Sequence, residues 1–257
     1  MAEFFEVKNV SMYFSGLKAL SDVSFSISKG GVHGLIGPNG SGKTTMFNLI
    51  SSVYSPTEGE ILLNGENLVG LPSHKISAKG ITRTFQNIRL FNRMTVEDNI
   101  KTAIGSRYKL PILSAILSSP KERRFEREIQ EKADSIMEQV GLTQYRNTTA
   151  ASLPYGRQRV LEIARAWGTD PILILLDEPG AGMNDKDKEL LLEIVSLLTK
   201  NDVTIMLVEH DMKLVMKVTQ HITVLDSGKK IAEGKPADIR VNPDVIKAYL
   251  GEEAVVC

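Results

Sequence analysis

GPNGSGKT, Gly37 to Thr44, decides the fold, because it stands between the apolar run VHGLI, Val32 to Ile36, and the helix-compatible TTMFNLI, Thr44 to Ile50. Strand, glycine-rich loop and helix are the context in which a G-x-x-x-x-G-K-[ST] pattern holds phosphate. Glycine lets successive backbone N–H groups turn inward at the positive end of the following helix. Gly37, Pro38, Asn39, Gly40, Ser41, Gly42, Lys43, Thr44 and Thr45 are therefore candidate nucleotide contacts. Lys43 offers a point charge to the β- and γ-phosphates, and Thr44 a hydroxyl to Mg²⁺. By average residue frequencies the bare pattern arises in about one chain of this length per hundred. Its setting between a strand and a helix argues against accident.

A second stretch fits the first. PILILLDEP runs five apolar residues into Asp177 and Glu178, placing two acids at the carboxyl end of a buried strand. In open α/β sheets ligands bind at that edge. Asp177 suits Mg²⁺ held through water, and Glu178 is positioned to polarise a water for in-line attack on a γ-phosphate. The alternative is that the two carboxylates cap the next helix. His210, in LVEHD, ends another apolar strand at the same edge, where it faces a γ-phosphate or serves as a structural hydrogen-bonder.

Working outward, the first third is β-rich: FFEVKNV, ALSDVSFSI, VHGLIG and EILLNGENL, with Asn64-Gly65 marking a tight primed turn. The middle is helical. KERRFEREIQEKADSIMEQV sets Phe125, Ile129, Ile136 and Val140 on one face, opened by Ser119-Pro120 and closed by Gly141. Thr95 and Asp98, in TVEDNI, are spaced as a capping box. The last third alternates strand and helix from ILILLD to HITVLD, the rhythm of a parallel sheet covered by helices. The helical middle, 87–151, then reads as an insertion into an α/β core made of 1–86 and 152–257.

Bulk properties narrow the function. With 257 residues the chain accommodates one large α/β domain with a modest insertion. Lys+Arg and Asp+Glu both total 31, so the basic excess of a nucleic-acid binder is missing. The best apolar runs, Ile172 to Leu176 and Leu110 to Leu117, fall far short of the roughly 20 residues that cross a bilayer, so a soluble protein is expected. MAEFFEV carries Glu3 and Glu6 in place of a basic signal region, which points to the cytosol. The single cysteine, Cys257, is expected to be incidental.

GPNGSGKTT, Gln86 in RTFQN, LPYGRQRVLEIARA, ILILLDEP and His210 occur in the order and approximate spacing of the ATP-binding cassette (ABC) family, which the chain resembles over nearly its whole length. The resemblance implies a P-loop NTPase core with a RecA-like parallel sheet, an N-terminal antiparallel β subdomain and an inserted α-helical subdomain. It implies ATP and Mg²⁺ as ligands, with Gln86 sensing the γ-phosphate, contributing to the metal site and linking to a permease. His210 becomes the switch histidine. Phe14, or its neighbour Tyr13, takes the place of the aromatic that stacks on adenine. Pro154, Tyr155 and Gly156 face the ATP of a second, identical or paralogous, ATPase subunit in a head-to-tail dimer.

The signature segment departs from the family's LSGGQ. Leu153-Pro154-Tyr155-Gly156-Arg157 puts proline where a serine hydroxyl would stand, and proline has no N–H either. Asn184 replaces the usual aspartate after DEP. LPYG, GMN, RTFQNIRLF, EHDMKLVM and IAEGKPADIRVNPDVIKAYLG resemble the larger ATPase subunit of branched-chain amino-acid importers. Part of this text is shared with ATPases for urea, amides or lipopolysaccharide. The resemblance implies a place on the cytoplasmic face of the cell membrane beneath permease subunits, served indirectly by a substrate-binding protein. A soluble ABC ATPase acting on ribosomes or DNA is the competing class; a single cassette without sustained heptads or basic excess speaks against it. A regulatory cassette that binds ATP without hydrolysing it is opposed by intact Lys43, Asp177, Glu178 and His210. Ile88, Leu90, Phe91 and Met94, just after Gln86, form either core or a permease-docking groove.

Overall fold

Alternating burial along Phe5–Phe14 (β1) and Leu17–Ile27 (β2) builds an antiparallel hairpin. It turns at Ser15 and Gly16, whose φ angles of 44° and 90° suit a two-residue primed turn. Glu58–Leu63 (β4) and Glu66–Asn67 (β5) pair across Asn64-Gly65 in the same way, as the sequence predicts, and complete a sheet of order β2-β1-β4-β5. The computed structural model describes residues 3–107 and 120–250. The run Leu110 to Leu117, Ser119, Gly251 and Cys257 lie outside them.

The second sheet has the order β10-β9-β3-β8-β7-β6. Its strands are Val32–Ile36 (β3), Ile81–Arg83 (β6), Leu173–Asp177 (β7), Thr204–Val208 (β8), His221–Asp226 (β9) and Lys229–Gly234 (β10). All neighbours are parallel except β10, which runs antiparallel on β9. Every residue of β3, β7 and β8 is buried, as parallel strands covered on both faces require. The strand period of two splits them between two cores. Ile174, Leu176, Ile205 and Leu207 face a helical layer. Leu173, Leu175, Met206 and Val208 face the antiparallel sheet and the helix Lys43–Ile50 (α1).

Ser73–Ala78 (α2) precedes β6, and the helical layer follows: Val96–Gly105 (α3), Pro120–Gln139 (α4), Tyr155–Gly168 (α5) and Asp185–Lys200 (α6). Thr95 caps α3 by accepting the Asp98 N–H at 3.1 Å, a contact worth about 1 kcal/mol. Ile136 of α4 and Val140 just beyond its end are buried with Ile129 against them, while Phe125 is half-buried. Gly141, with φ of 68°, ends that helix. These side chains share one core with α5, α6 and the sheet. Met212–Val218 (α7), Pro236–Arg240 (α8) and Pro243–Leu250 (α9) close the chain. Among the described residues no helix is long and apolar enough to cross a membrane.

The strand order brings the carboxyl ends of β3, β8, β7 and β6 side by side. Gly37, His210, Glu178 and Gln86 follow those ends within a few residues.

Candidate active site

The loop after β3 is shaped by its glycines. Gly37 has φ of 150° and Gly42 of 104°. A Cβ at Gly37 would stand 2.0 Å from the Leu225 carbonyl oxygen, and one at Gly42 would stand 2.6 Å from Leu20 Cδ2. No side chain caps α1, so its first N–H groups keep their bonding capacity for an anion. Lys43 is 8% exposed, and its Nζ donates to the carbonyls of Gly37 at 2.7 Å and Pro38 at 2.8 Å. Burial lowers the Lys43 pKa, opposed by the carboxylates of Glu178 and Asp177. Such a desolvated cation gains from a nearby anion. Asn39, Gly40 and Thr44 are exposed along the same loop, Pro38 and Thr45 are half-buried, and Ser41 is buried.

At the end of β7 the two acids part company. Asp177 is 5% exposed, and its Oδ2 accepts from Arg83 at 2.7 Å. Arg83 also donates to Asn48 Oδ1 at 2.7 Å and Ser51 Oγ at 3.1 Å, tying Asp177 to α1. Glu178 takes the left-handed region with φ of 47°, its N–H donating to the Val208 carbonyl at 2.8 Å. That turn directs its side chain away from the strand. Gln86 Nε2 donates to Glu178 Oε2 at 2.9 Å, and His210 Nδ1 lies 3.8 Å from the same oxygen. Beneath them Glu209, 1% exposed, accepts from the N–H groups of Gly180 at 2.6 Å and His210 at 3.0 Å. It holds the loops after β7 and β8 together.

A family model described as ABC transporter matches residues 20–181. The chain belongs to the ABC transporter family. A further model, described as branched-chain amino acid ATP-binding cassette transporter, matches residues 229–255 of this cassette. The cassette is 47% identical over 248 residues to the high-affinity branched-chain amino acid transport ATP-binding protein BraF of Pseudomonas aeruginosa, covering 96% of this chain and 97% of the relative. It is 44% identical to LivG of Escherichia coli, a protein of the same description, with 96% and 97% covered. A solved nucleotide-free ATP-binding cassette from an ABC transporter matches it with a TM-score of 0.83 at 30% identity, covering 98% of this chain and all of the other. A dimeric cassette in a post-hydrolysis state, bound to ADP and Pi, matches at 0.75 and 26% identity, covering 90% and 98%. The chain is thus a nucleotide-binding ATPase subunit of the transporter family, with the P-loop NTPase fold that its motifs predict.

The remaining candidates stand further out on the cassette. Phe14 and Tyr13 are each 37% exposed at the β1–β2 turn. Phe14 meets Tyr54 edge-on at 5.4 Å, and Lys18 Nζ sits 5.3 Å from the Tyr13 ring centroid. Pro154 is exposed as the N-cap of α5 without a side-chain cap, Tyr155 is 44% exposed and Gly156 is buried. A Cβ at Gly156 would stand 2.4 Å from the Asp187 carboxyl carbon. Asn184 caps α6, its Oδ1 accepting the Asp187 N–H at 2.9 Å. Arg83 and Glu209 escape a reading of the sequence. Their signal is weak: one charge in a three-residue strand, and one acid next to the more conspicuous His210.

The IRLF cluster divides. Leu90 packs on the core, whereas Phe91 is 44% exposed with the Arg165 guanidinium 4.6 Å from its ring centroid. A cavity of about 370 Å³ opens there, lined by Phe85, Arg89, Phe91, Thr102 and Arg165 among others.

Proposed function

We propose that the chain powers import of branched-chain amino acids, working on the cytoplasmic face of the membrane as one of two ATPase subunits beneath a permease. The convergence of Gln86, Glu178 and His210 beside Lys43 carries the catalytic part of this reading. The BraF and LivG relatives and the match over 229–255 support the substrate. A substrate-binding protein outside the membrane would hand the amino acid to the permease. The segment 87–151 serves as the helical unit through which motion passes.

Lys43 neutralises the β- and γ-phosphates while the loop N–H groups and the start of α1 hold them. Glu178 orients and deprotonates the attacking water, Gln86 holds that carboxylate in place, and His210 meets the γ-phosphate. Phe14 or Tyr13 stacks on adenine. Pro154, Gly156 and the backbone of Tyr155, at the head of α5, face the nucleotide of the second subunit in a head-to-tail pair; one solved relative is itself a dimer.

Mg²⁺ fits what these residues offer. Thr44, Gln86 and Asp177 present only oxygen donors, and among the described residues no group of three or more His, Cys, Asp or Glu is placed to hold a metal alone. Mg²⁺ prefers a few protein oxygens with phosphate and water completing the octahedron. Held by these residues, it would supply positive charge to offset that of the phosphates.

The groove beside Phe91 suits an apolar permease helix laid between the Gln86 loop and α3. Phe91→Asp should abolish uptake of leucine, isoleucine and valine by the complex reconstituted in vesicles while ATP binding by the isolated subunit stays intact. Normal uptake in that variant removes the docking surface. A wild-type complex that moves none of the three amino acids overturns the substrate.

A further inference from the structure

Arg159, on α5, is 2% exposed yet carries a full charge into the space between three loops. A guanidinium has five N–H donors, and here each finds an acceptor. NH1 donates to the Phe85 carbonyl at 2.9 Å and to Glu162 Oε2 at 3.2 Å. NH2 donates to the Gln86 carbonyl and to the Tyr155 hydroxyl at 3.0 Å, and Nε donates to the same hydroxyl at 3.2 Å. Glu162 in turn accepts the Arg89 N–H at 3.1 Å with its other oxygen, gripping the Gln86 loop from its far side.

The Tyr155 hydroxyl is equally committed. It accepts two N–H groups of Arg159 and donates to the Ala181 carbonyl at 3.0 Å, which uses its one proton and both lone pairs. Ala181 N–H donates to the Glu178 carbonyl at 3.1 Å, and the Glu178 side chain accepts from Gln86 at 2.9 Å. A closed circuit results: Tyr155 to Ala181, Ala181 to Glu178, Glu178 to Gln86, Gln86 to Arg159, and Arg159 back to Tyr155.

We propose that Tyr155 and Arg159 are positioning residues for ATP hydrolysis, fixing both members of the Gln86–Glu178 pair from the head of the signature helix. The tyrosine hydroxyl has no capacity left for a nucleotide, so its effect on turnover runs through its own chain. A displacement of α5 is thereby transmitted to the group that orients the attacking water. This inference rests on the reading of Gln86 and Glu178 as the residues of turnover.

The test is a double-mutant cycle on the full-length subunit, measuring kcat and KM for ATP. Tyr155→Phe keeps the ring and deletes the hydroxyl, leaving the Ala181 carbonyl and two buried donors without partners. It should lower kcat about tenfold to a hundredfold, the scale of a small misplacement of catalytic groups, with KM unchanged. In a Gln86→Ala background the same change should cost clearly less than in the wild type, because one of the two members it holds is already gone and only the arm through Ala181 to Glu178 is left. Independent, multiplying losses overturn the proposal, as does a raised KM with normal kcat, which marks direct nucleotide contact. A normal kcat in Tyr155→Phe beside an impaired Gln86→Ala overturns the circuit alone. A normal kcat in Gln86→Ala overturns the underlying reading of the site. If Tyr155→Phe misfolds, Arg159→Lys, which keeps the charge on Glu162 and loses the fork, is expected to show the same split, and unchanged kinetics in it overturn the proposal.

Discussion

Both edges of the six-stranded sheet are rich in polar groups, and they treat them in opposite ways. At the amino edge His33 is 3% exposed, stacked on Phe25, with Nε2 2.9 Å from the Thr223 hydroxyl. Beside it Gln220 accepts the Val32 N–H at 2.6 Å, and Thr204 accepts that of Gly30 at 3.0 Å. At the carboxyl edge His210 is 64% exposed in its side chain, and Glu178 is held in a left-handed turn that costs on the order of 1 kcal/mol or more. The amino edge saturates these groups within the chain and buries His33, Thr204 and Thr223, with Gln220 left at its exposed rim. The other leaves bonding capacity facing outward and accepts strain to aim it, which is what marks a site.

If that contrast is correct, substitutions at the carboxyl edge should change chemistry and those at the amino edge should change stability. The largest effect is expected at Lys43. Lys43→Ala removes the charged contact to two phosphates, about 3 kcal/mol or more, so ATP affinity should fall at least about a hundredfold with the fold retained. An unchanged calorimetric titration would take Lys43 out of the site.

His33 should behave in the opposite sense. Burial first, and the neighbouring His221 second, lower its pKa from 6.5 to about 3. Between those values the unfolded chain binds a proton that the folded chain refuses. Stability is therefore complete above pH 6.5 and is lost as pH falls toward 3, by about 1.4 kcal/mol per pH unit from this group. His33→Gln should flatten denaturant midpoints measured between pH 7 and pH 5 while leaving ATP binding at pH 7 alone. An equally steep loss in the variant would place the acid sensitivity elsewhere.

Pro154→Ser should have the smallest effect. Serine at the N-cap of α5 adds an acceptor for helix N–H groups, whereas losing proline frees the unfolded chain, and the two terms are of similar size. The net change is expected within about 0.5 kcal/mol by chemical denaturation. A larger loss would mean that the proline shapes the signature loop.

What the sequence revealed divides along the same physical line. Local patterns were legible. The Gly37–Thr44 loop carries its strand and helix beside it, Asn64-Gly65 names its own turn, and Thr95 with Asp98 writes a cap across one helical turn. Asp177 and Glu178 could be placed because an apolar run fixes a strand end. Contacts joining distant segments left little trace. Arg83 reaches Asp177 only once β6 pairs beside β7, 94 residues further on. Arg159 and Glu162, three apart on α5, look in sequence like any surface pair of an amphipathic helix, yet they are 3% and 6% exposed in their side chains. Strand β6 and helices α2 and α8 were too short for periodicity to register, and β10, largely exposed along KKIAEG, lacks the apolar run that marked the buried strands. The IRLF cluster could not be apportioned in advance, since Leu90 and Phe91 carry the same pattern and part only in the folded chain.

The central claim, that Glu178 at the carboxyl edge activates water for ATP hydrolysis, is tested most directly by Glu178→Gln. The amide keeps the shape and the contact with Gln86 while removing the base. ATP binding and steady-state hydrolysis should be measured on one preparation of each protein. The account predicts affinity within about threefold of wild type and turnover lowered at least about a hundredfold, the range of general-base losses. Hydrolysis close to the wild-type rate would contradict it.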